Sequence, residues 1–434
     1  MKEEHRLDQI AAALPGYDAQ ALRVELAQAA IARLLAPLAA RLGNETLPLR
    51  EALGRCLAAE LVSPLDVPAF DNSAMDGYAL AAASLQTEGT PTRLAIAGRS
   101  LAGQGPAAAL QPGHCLRIMT GAPMPPGADT VVPQELVTRP DEASILIPPG
   151  LLRPGANRRR AGEDLARGQG ALRAGQRLRA AEIGLLASLG LAEVTVRRRP
   201  RVALLSTGDE LCPPGRPLPP GGVYDSNRHT LWSLLQALPV EVLDLGPVRD
   251  DPAALRAAFA EAAARADVVL STGGVGVGEA DHTKRVMAEL GEVLFWQLAM
   301  RPGRPLAVGR IGSEAAGRAL LLGLPGNPVA VMVGFYAFVR PALLALAGTD
   351  PAPPLALRAR SAEPLRKRAG RTEYQRGIVE RGEDGDWWVR STGSQGSGIL
   401  SSMSRANGLI LLAHERGEVA RGDWVEVLPF EGLN

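Results

Sequence analysis

The sequence predicts a multidomain α/β plus β protein built around a central doubly wound α/β domain. From residue 200 to 346, short apolar strand patterns alternate with helical patterns. Residues 63–154 instead show short alternating runs broken by Pro and Gly, and a third set of strand patterns follows the Pro-rich segment 350–354. Because alternating strands and helices favour a parallel sheet with right-handed crossovers, we expect ligand sites at the carboxyl ends of its strands.

The N-terminal region is predicted to be helical and elongated. Residues 21–42 carry apolar side chains at helical spacing, and a second helix is expected over 49–61. A short helix over 177–190 should return to pack with these N-terminal helices. We therefore expect an elongated N-terminal domain made of two separate segments, an inserted small β domain, an α/β domain and a C-terminal β-barrel-like domain. Their expected bounds are 1–62 with 155–198, 63–154, 199–349 and 350–434.

Local patterns place strands and helices within these domains. The inserted domain should contain strands over 93–97, 115–119 and 130–132. The α/β domain should contain strands over 201–205, 240–244, 268–270 and 319–322, with helices over 227–238, 252–265, 281–290 and 328–346. The C-terminal domain should contain strands over 374–379, 387–389, 409–412 and 424–427.

Composition argues against several classes of protein. The 434 residues carry a net charge of +1, which argues against nucleic acid as a bulk electrostatic partner. Three scattered cysteines without a C-x-x-C pair argue against structural zinc and a disulfide framework. The N-terminus is too charged for a signal peptide, and we expect no apolar stretch of membrane-spanning length. These features predict a cytoplasmic protein.

The glycine-rich loop 271–281 is the most informative local feature. It follows a strand pattern and leads into a helical pattern, with Asp281 at the expected N-cap. A strand that ends in glycines before a helix N-terminus presents backbone N–H groups to an anion, especially phosphate. The spacing fits neither G-x-G-x-x-G nor the Walker motif. A tight turn with a solvated cap would give the same pattern, so the loop alone leaves both interpretations open.

Acidic residues follow three successive strands of the expected sheet. Glu210, Asp250 and Asp281 stand in turns along one sheet edge, where they could converge on a single cleft. Two carboxylates about 4 Å apart repel by about 4 kcal/mol at an effective dielectric constant of about 20, so such clusters are typical of cation sites. Ordinary helix capping is the alternative for each acid taken singly. We interpret the three together as a Mg²⁺ site beside a phosphate.

Several other segments have side chains suited to ligand binding. Residues 324–328 join a strand to a helix, and the turn 300–305 places Arg301 and Arg304 where they suit an oxyanion. The loops 70–79 and 117–123 of the inserted domain, and 162–164 beyond it, are polar and turn-forming. Each segment is also typical of an ordinary turn or solvated loop. A hydrolase triad has no support, because the sequence contains no G-x-S-x-G.

Taken in order, these segments resemble the molybdopterin molybdenumtransferases, the bacterial molybdenum-insertion enzymes related to the C-terminal region of gephyrin. The resemblance runs from about residue 49 to the C-terminus. The motifs that carry it are SPLDVP at 63–68, FDNSAMDGYA at 70–79, MTGAP at 119–123, RRAGED at 159–164, TGDEL at 207–211, YDSNR at 224–228, GGVGVGEAD at 273–281 and LPGNP at 324–328.

The resemblance implies a molybdopterin-binding-like α/β domain in an elongated homodimer with four domains per subunit. The active cleft would lie between the α/β domain and the C-terminal domain of one chain, facing the inserted domain of its partner. Adenylylated molybdopterin and molybdate would be the substrates, Mg²⁺ the cofactor, and molybdenum cofactor and AMP the products. The molybdopterin adenylyltransferase and other cofactor-synthesis proteins would be protein partners, with no role for nucleic acid or membrane.

Motif matches within this resemblance assign the site residues. The catalytic positions are Asp76, Thr120, Asp164, Glu210, Asp250 and Asp281. The last three of these would be the Mg²⁺ ligands. The substrate-binding positions are Thr207, Gly208, Ser226, Asn227, Gly273, Gly274, Gly276, Gly278, Glu279, Lys284, Arg301, Pro302, Arg304, Pro325, Gly326, Asn327, Pro328, Arg371 and Ser397.

The sequence departs from the family pattern in three places. Gly276 stands where the family usually has Ser, and Gln297 where it commonly has Lys. Arg301 and Arg304 replace the usual lysines and keep the positive charge. The missing cation at Gln297 should weaken anion binding, since a charged hydrogen bond contributes about 1.5–3 kcal/mol.

Two alternatives remain open on the sequence. A molybdopterin adenylyltransferase resembles residues 200–345 but normally lacks the inserted and C-terminal domains. A gephyrin-like scaffold would bind partner peptides without turnover. The retained acids at Glu210, Asp250 and Asp281 weigh against a purely structural role.

Overall fold

The computed structural model describes residues 7, 9, 14–105, 107–276, 282–313, 318–349 and 353–430. Its first elements are helix α1 (Val24–Arg41), strand β1 (Asn44–Pro48) and strand β2 (Leu61–Val62). The helix expected over 49–61 is wrong. The N–H groups of Gly54 and Leu57 donate to the carbonyls of Leu178 and Gln176, so pairing with a distant segment replaces the intrahelical bonds that the local pattern favours.

The inserted region folds around a six-stranded sheet. After the short strand β3 (Asn72–Ser73) come β4 (Gly77–Leu80), β5 (Thr92–Ser100), β6 (His114–Ile118), β7 (Thr130–Pro133), β8 (Thr138–Asp141) and β9 (Ser144–Ile147). The order in the sheet is β7-β4-β6-β5-β9-β8, in which β5 and β6 are parallel and the other neighbours antiparallel. The three strands expected here are confirmed as β5, β6 and β7.

The chain then returns to its N-terminal segment. The next elements are β10 (Arg158–Arg159), β11 (Gly170–Leu172), helix α2 (Ala180–Ser188) and β12 (Glu193–Arg197). β1 pairs antiparallel with β12, β2 with β11, and β3 with β10. Leu186 of α2 lies in one hydrophobic cluster with Ala52 and Leu57. These contacts support a discontinuous N-terminal domain, and its bounds stay a prediction.

Helix α1 belongs to a different core. Its buried residues Ala27, Ile31 and Leu34 lie in the same hydrophobic cluster as Val202 and Leu322 of the α/β domain. The expectation that the helix at 177–190 packs with the helix at 21–42 is therefore wrong. Because the apolar stripe of α1 is buried against the α/β domain, we favour assigning α1 to that domain rather than to 1–62.

The α/β domain has a six-stranded sheet with apolar clusters on both faces. Its elements are β13 (Arg201–Thr207), β14 (Leu211–Cys212), β15 (Val223–Tyr224), α3 (Ser226–Gln236), β16 (Glu241–Val248), α4 (Pro252–Arg265), β17 (Val268–Thr272), α5 (His282–Leu290), β18 (Gly291–Gln297), β19 (Met300–Arg301), β20 (Pro305–Ile311), β21 (Ala319–Leu324) and α6 (Pro328–Leu346). Leu204 and Leu205 lie in different clusters, as expected for a strand covered on both sides.

The strand order in this sheet is β16-β13-β17-β21-β20-β18. The first four strands are parallel, as the alternating pattern predicts, whereas β20 and β18 are antiparallel to their neighbours. The sequence prediction missed β18 and β20. All four parallel strands direct their carboxyl ends to one edge, which therefore collects the βα turns.

Helix α6 is long and apolar enough to cross a membrane by length and composition. Its 19 residues have a mean hydropathy of 2.0, so the expectation that no apolar stretch reaches membrane-spanning length is wrong. The helix is 72% buried inside the protein over its most apolar part, and Val331, Phe338 and Leu343 pack in the main core. Burial of this kind is typical of a core helix of a globular domain.

The C-terminal region forms a barrel that reaches back to the α/β domain. Its elements are β22 (Leu357–Ser361), β23 (Thr372–Arg381), β24 (Trp387–Ser391), α7 (Ser401–Arg405), β25 (Gly408–Leu412) and β26 (Trp424–Pro429). The order β19-β23-β24-β22-β26-β25 closes through an additional pairing of β23 with β25. Because β19 lies between β18 and β20 in the chain, Arg301 stands on a strand that joins the two domains.

Candidate functional site

A pocket of about 300 Å³ lies at the carboxyl ends of β13 and β17, and we call it the strand-end pocket. Seven of the residues predicted from the sequence line it: Thr207, Glu210, Ser226, Asn227, Gly273, Gly326 and Pro328. The other lining residues are Ser206, Leu211, Val223, Tyr224, Asp225 and Thr272. The pocket thus contains polar groups from three βα turns and from the N-termini of α3 and α6.

Asp225 holds the back of the pocket in place. Its buried carboxylate, 1% exposed, caps α3 by accepting from the N–H of Arg228 at 3.2 Å. Ser206 Oγ donates to Asp225 Oδ2 at 2.7 Å, and Arg228 Nε donates to the same oxygen at 2.9 Å. Burial lowers the pKa of Arg228, but its hydrogen bonds to Asp225 and Asp244 outweigh this effect and raise the pKa overall. A buried charge paired and hydrogen-bonded in this way fixes β13 relative to α3.

Asn227 joins three segments around the pocket. Its Nδ2 donates to Thr272 Oγ1 at 3.2 Å and to the carbonyl of Gly326 at 2.7 Å. Thr272 Oγ1 in turn donates to the carbonyl of Pro325 at 3.1 Å. Among the described residues, Asn227 Oδ1 and Thr207 Oγ1 are buried without a hydrogen-bond partner. Both atoms are therefore available to a ligand, since a buried polar atom without a partner is costly.

The glycine loop approaches its neighbours too closely for larger residues. A Cβ at Gly273, which has φ +93°, would lie 2.9 Å from Thr207 Oγ1. A Cβ at Gly274, with φ +64°, would lie 2.5 Å from the Cβ of Thr283. Glycine is required at both positions, because only glycine adopts these angles without strain and leaves this space. By contrast, Gly276 is exposed with no atom near its would-be Cβ.

The remaining predicted residues of this loop divide into two groups. Gly278, Glu279 and Asp281 lie outside the described residues. Lys284 Nζ donates to the carbonyl of Gly276 and stands 5.8 Å from the ring centroid of Phe295. Lys284 thus ties the loop to α5.

The acidic residues are brought together in part. Glu210 lines the pocket with an exposed side chain whose carboxylate lies against Gly208. The N–H of Asp250 donates to Asp209 Oδ1 at 3.3 Å, so the turns after β13 and β16 lie side by side. Asp250 itself is not among the pocket-lining residues. Within the part of the chain that the structure describes, no group of three His, Cys, Asp or Glu residues is arranged to hold a metal ion. Convergence of Glu210, Asp250 and Asp281 stays a prediction.

The predicted arginines lie where the barrel meets the α/β domain. Arg301 on β19 stands opposite Glu373 on β23 and is exposed. Arg371 Nε donates to Glu373 Oε1 at 2.8 Å. Pro302 follows Arg301 through a cis peptide bond, and Arg304 is exposed, with its carbonyl accepting from the N–H of Leu298.

Arg376 is a residue that the sequence reasoning missed. It is fully buried, and its guanidinium donates to Ser402 Oγ at 3.0 Å and to the carbonyl of Gly396 at 3.0 Å. Burial, followed by the nearby charge of Arg301, lowers the pKa of Arg376 to about 10. The carbonyl of Ser397 accepts from the N–H of Val329 at 3.0 Å. Arg376 thus fixes the loop that places Ser397 against the start of α6, where Gly326 and Pro328 line the pocket.

The predicted residues of the inserted domain form a separate group. Asp76 Oδ1 accepts from the N–H and from the hydroxyl of Thr120, both at 2.7 Å, and these bonds lower the pKa of Asp76. Asp164 is exposed at the end of the loop 158–164, which Asp71 ties down by accepting from the N–H of Ala161. In the described part of a single chain, no hydrogen bond or ion pair joins this group to the strand-end pocket.

The fold and the pocket define a multidomain protein whose doubly wound α/β domain carries a ligand site at the carboxyl ends of its strands. Three family models match: the MoeA N-terminal region (domain I and II) over 22–190, a probable molybdopterin binding domain over 203–345, and the MoeA C-terminal region (domain IV) over 358–430.

Relatives match the chain over nearly its whole length. The molybdopterin molybdenumtransferase of Haemophilus influenzae is 42% identical over 90% of this chain and 95% of its own. That of a Nostoc species is 38% identical over 89% and 88%. A crystal structure of a molybdopterin biosynthesis moeA protein of Pyrococcus horikoshii superimposes with a TM-score of 0.76 at 32% identity, covering 94% of this chain and 99% of that one.

The chain belongs to the molybdopterin molybdenumtransferase family, the MoeA enzymes of molybdenum cofactor biosynthesis. The resemblance stated from the sequence, the fold class, the enzyme class and the function in molybdenum insertion are confirmed at this level.

Proposed function

We propose that this enzyme inserts molybdate into adenylylated molybdopterin and releases AMP, with Mg²⁺ as cofactor. The observation that carries the proposal is the strand-end pocket, which combines a glycine loop, two helix N-termini and the carboxylate of Glu210. Such a combination suits a phosphate that is held together with a divalent cation. Little covalent chemistry by the protein is required, because positioning and electrostatic stabilisation are sufficient for phosphoanhydride cleavage.

The nucleotide phosphate would bind at the floor of the pocket. Thr207 Oγ1 can donate to a phosphate oxygen, and Asn227 Oδ1 can accept from a substrate hydroxyl or N–H. The backbone at Gly273 and the N-termini of α3 and α6 add positive electrostatic potential. Ser226, Gly274, Pro325 and Asn327 would keep this backbone in place.

Mg²⁺ would bind at the acidic side of the pocket. Glu210 and Asp250 offer hard oxygen donors on adjacent turns, which is the ligand chemistry that Mg²⁺ prefers, and Asp281 would complete the set. When bound, the ion neutralises charge on the phosphoanhydride and so favours departure of AMP. Without a cation, Glu210 beside a phosphate would be repulsive.

Molybdate would bind where the barrel meets the α/β domain. Arg301, Arg304 and Arg371 would attract the dianion, and the loop carrying Ser397 would close the site. Lys367 keeps the segment of Arg371 in position by donating to the carbonyl of Arg371 at 2.6 Å. Gln297 supplies no charge, so we expect weaker oxyanion binding than in relatives with Lys at that position.

We further propose a homodimer in which Asp76, Thr120 and Asp164 of one chain face the pocket of its partner. The group lies apart from the pocket within one chain, and Phe70 and Met75 beside it are 48% and 42% exposed. Exposed apolar side chains next to polar site residues are typical of a surface that is covered in an assembly. A molybdopterin adenylyltransferase would supply the substrate, and a cytoplasmic location stays a prediction.

The decisive experiment follows AMP release. Purified protein with adenylylated molybdopterin, Mg²⁺ and molybdate should release AMP and form molybdenum cofactor, and Glu210→Gln should reduce the rate at least ~100-fold, as expected for loss of charge stabilisation in the transition state. Glu261→Gln, on the exposed side of α4, is the matched control and should leave the rate unchanged. No AMP release by the wild type, ATP consumption without molybdate, or tight peptide binding without turnover would each contradict the proposal.

A further inference from the structure

Tyr224 stands at the mouth of the strand-end pocket with an open aromatic ring. It lines the pocket and is 46% exposed, and its neighbour Val223, which also lines the pocket, is 50% exposed. Among the described residues, no other ring or cation stacks on Tyr224. The exposed mouth of the pocket thus has an apolar side, formed by Tyr224 and Val223, and an acidic side, formed by Glu210. The buried lining residues Ser206, Thr207 and Thr272 give the pocket a polar floor.

The ring of Tyr224 is held at both ends. Its hydroxyl donates to the carbonyl of Arg216 at 3.0 Å. Its backbone belongs to β15, which pairs with β14, and the N–H of the next residue, Asp225, donates to the carbonyl of Cys212 at 3.0 Å. The intervening loop 213–222 contains five prolines, which restrict its conformations. A ring fixed before binding loses little conformational entropy when a ligand stacks on it.

We propose that Tyr224 is the stacking platform for a planar nitrogen heterocycle of the substrate. The inference rests on the proposed function and deepens it by naming the part of the substrate that contacts the mouth of the strand-end pocket. In adenylylated molybdopterin, the phosphates lie between two heterocycles, the adenine and the pterin. A phosphate bound at the floor of the pocket therefore has a heterocycle on each side of it. The adenine and the pyrimidinone ring of the pterin each present a flat π-surface to an aromatic side chain, and stacking of this kind tolerates different rings. Val223 would contact the edge of the bound ring.

Binding of three probes tests the platform. Titration calorimetry would compare AMP, 6-hydroxymethylpterin and ribose 5-phosphate, which has the phosphate without a heterocycle. We expect Tyr224→Ala to weaken binding of at least one ring-bearing probe ~10-fold, in the range of aromatic–base stacking, and to leave ribose 5-phosphate unchanged. Tyr224→Phe keeps the ring and should stay within ~3-fold of the wild type, since only the bond to Arg216 is lost.

The matched control is Trp232→Ala. Trp232 lies on α3, is 44% exposed and does not line the pocket, so its removal should not change binding of any probe. Loss of AMP binding would assign the platform to adenine, and loss of pterin binding to the pterin. An equal loss for ribose 5-phosphate, or no loss for either ring-bearing probe, would overturn the proposal.

The binding experiment on Tyr224 and the AMP-release experiment can fail independently of each other. If AMP stacks on Tyr224 but molybdate never triggers AMP release, the proposed reaction fails and the platform stands. If molybdate-dependent AMP release proceeds and Tyr224→Ala binds every probe as tightly as the wild type, the platform fails and the reaction stands.

Discussion

At the scale of single residues, the glycine loop shows which positions the geometry constrains. Gly274 has φ +64°, and its would-be Cβ meets the buried side chain of Thr283. We expect Gly274→Ala to lower the free energy of unfolding by about 1–2 kcal/mol from the left-handed conformation alone, with a further cost from the contact. Urea denaturation measures the difference.

Gly276 gives the matched control for this loop. No atom lies within 4 Å of its would-be Cβ, and its φ is not in the positive region. Gly276→Ser, which restores the usual family residue, should change the free energy of unfolding by less than about 0.5 kcal/mol. Equal stability of Gly274→Ala and Gly276→Ser would contradict the argument that close approach selects glycine at Gly274.

Sequence reasoning found the residues with special backbone or charge patterns and missed those defined by tertiary contact. Thr207, Glu210 and Gly273 follow strand patterns directly, so their place at the sheet edge was foreseeable. Asp225 was not predicted as a site residue, because its pairing with Ser206 depends on the fold. Arg376 is one arginine among many in the sequence, and its complete burial has no local signal.

At the scale of elements, the start of α2 depends on one carboxylate. Glu182 Oε2 accepts from the N–H of Arg179 at 2.9 Å, and the Arg179 side chain bonds the same carboxylate. The hydrogen bonds with Arg179 lower the pKa of Glu182 from 4.5 to about 2. Since the folded pKa is below its unfolded value, this stabilisation is complete above pH 4.5 and is lost as the pH falls toward about 2.

Glu182→Gln mimics the protonated carboxyl and so isolates this effect. The variant should be less stable than the wild type at pH 6, and the difference should shrink as the pH falls below 4.5. Chemical denaturation at several pH values measures both proteins. A difference that stays constant down to pH 3 would show that the charge of Glu182 does not stabilise α2.

Strands and helices were predicted correctly where the local sequence pattern favours the same structure as the tertiary contacts. Three of the four parallel strands, β13, β17 and β21, are almost entirely buried, so their apolar runs were clear. β18 and β20 are antiparallel to their neighbours and follow one another with only the short strand β19 between them, so the alternation of strand and helix that indicated the parallel strands does not extend to them. Residues 49–61 have a helical pattern but bond to 176–178 instead, because the returning segment supplies backbone partners that no local pattern reveals.

At the scale of the whole molecule, the proposed site residues are divided between two regions, and this division is the reason for proposing a dimer. Asp76 and Thr120 form one polar group on the inserted domain, and Glu210 lines a pocket on the α/β domain. The barrel is joined to the α/β domain by the pairing of β19 with β23, so the proposed molybdate site, where these two domains meet, lies within one chain. The inserted domain has no equivalent contact with the pocket among the described residues.

Mixing two inactive variants tests whether the site is shared. If the pocket of one chain faces the inserted domain of its partner, an Asp76→Asn chain paired with a Glu210→Gln chain contains one intact site out of two. With half of the dimers mixed after unbiased exchange, AMP release should recover to about a quarter of the wild-type rate, whereas each variant alone stays inactive. The control is a mixture of Glu210→Gln with the double variant Asp76→Asn/Glu210→Gln, which has no intact pocket and should not recover. Mixed dimers without activity, in a sample that sedimentation shows to be dimeric, would mean that each chain completes its own site.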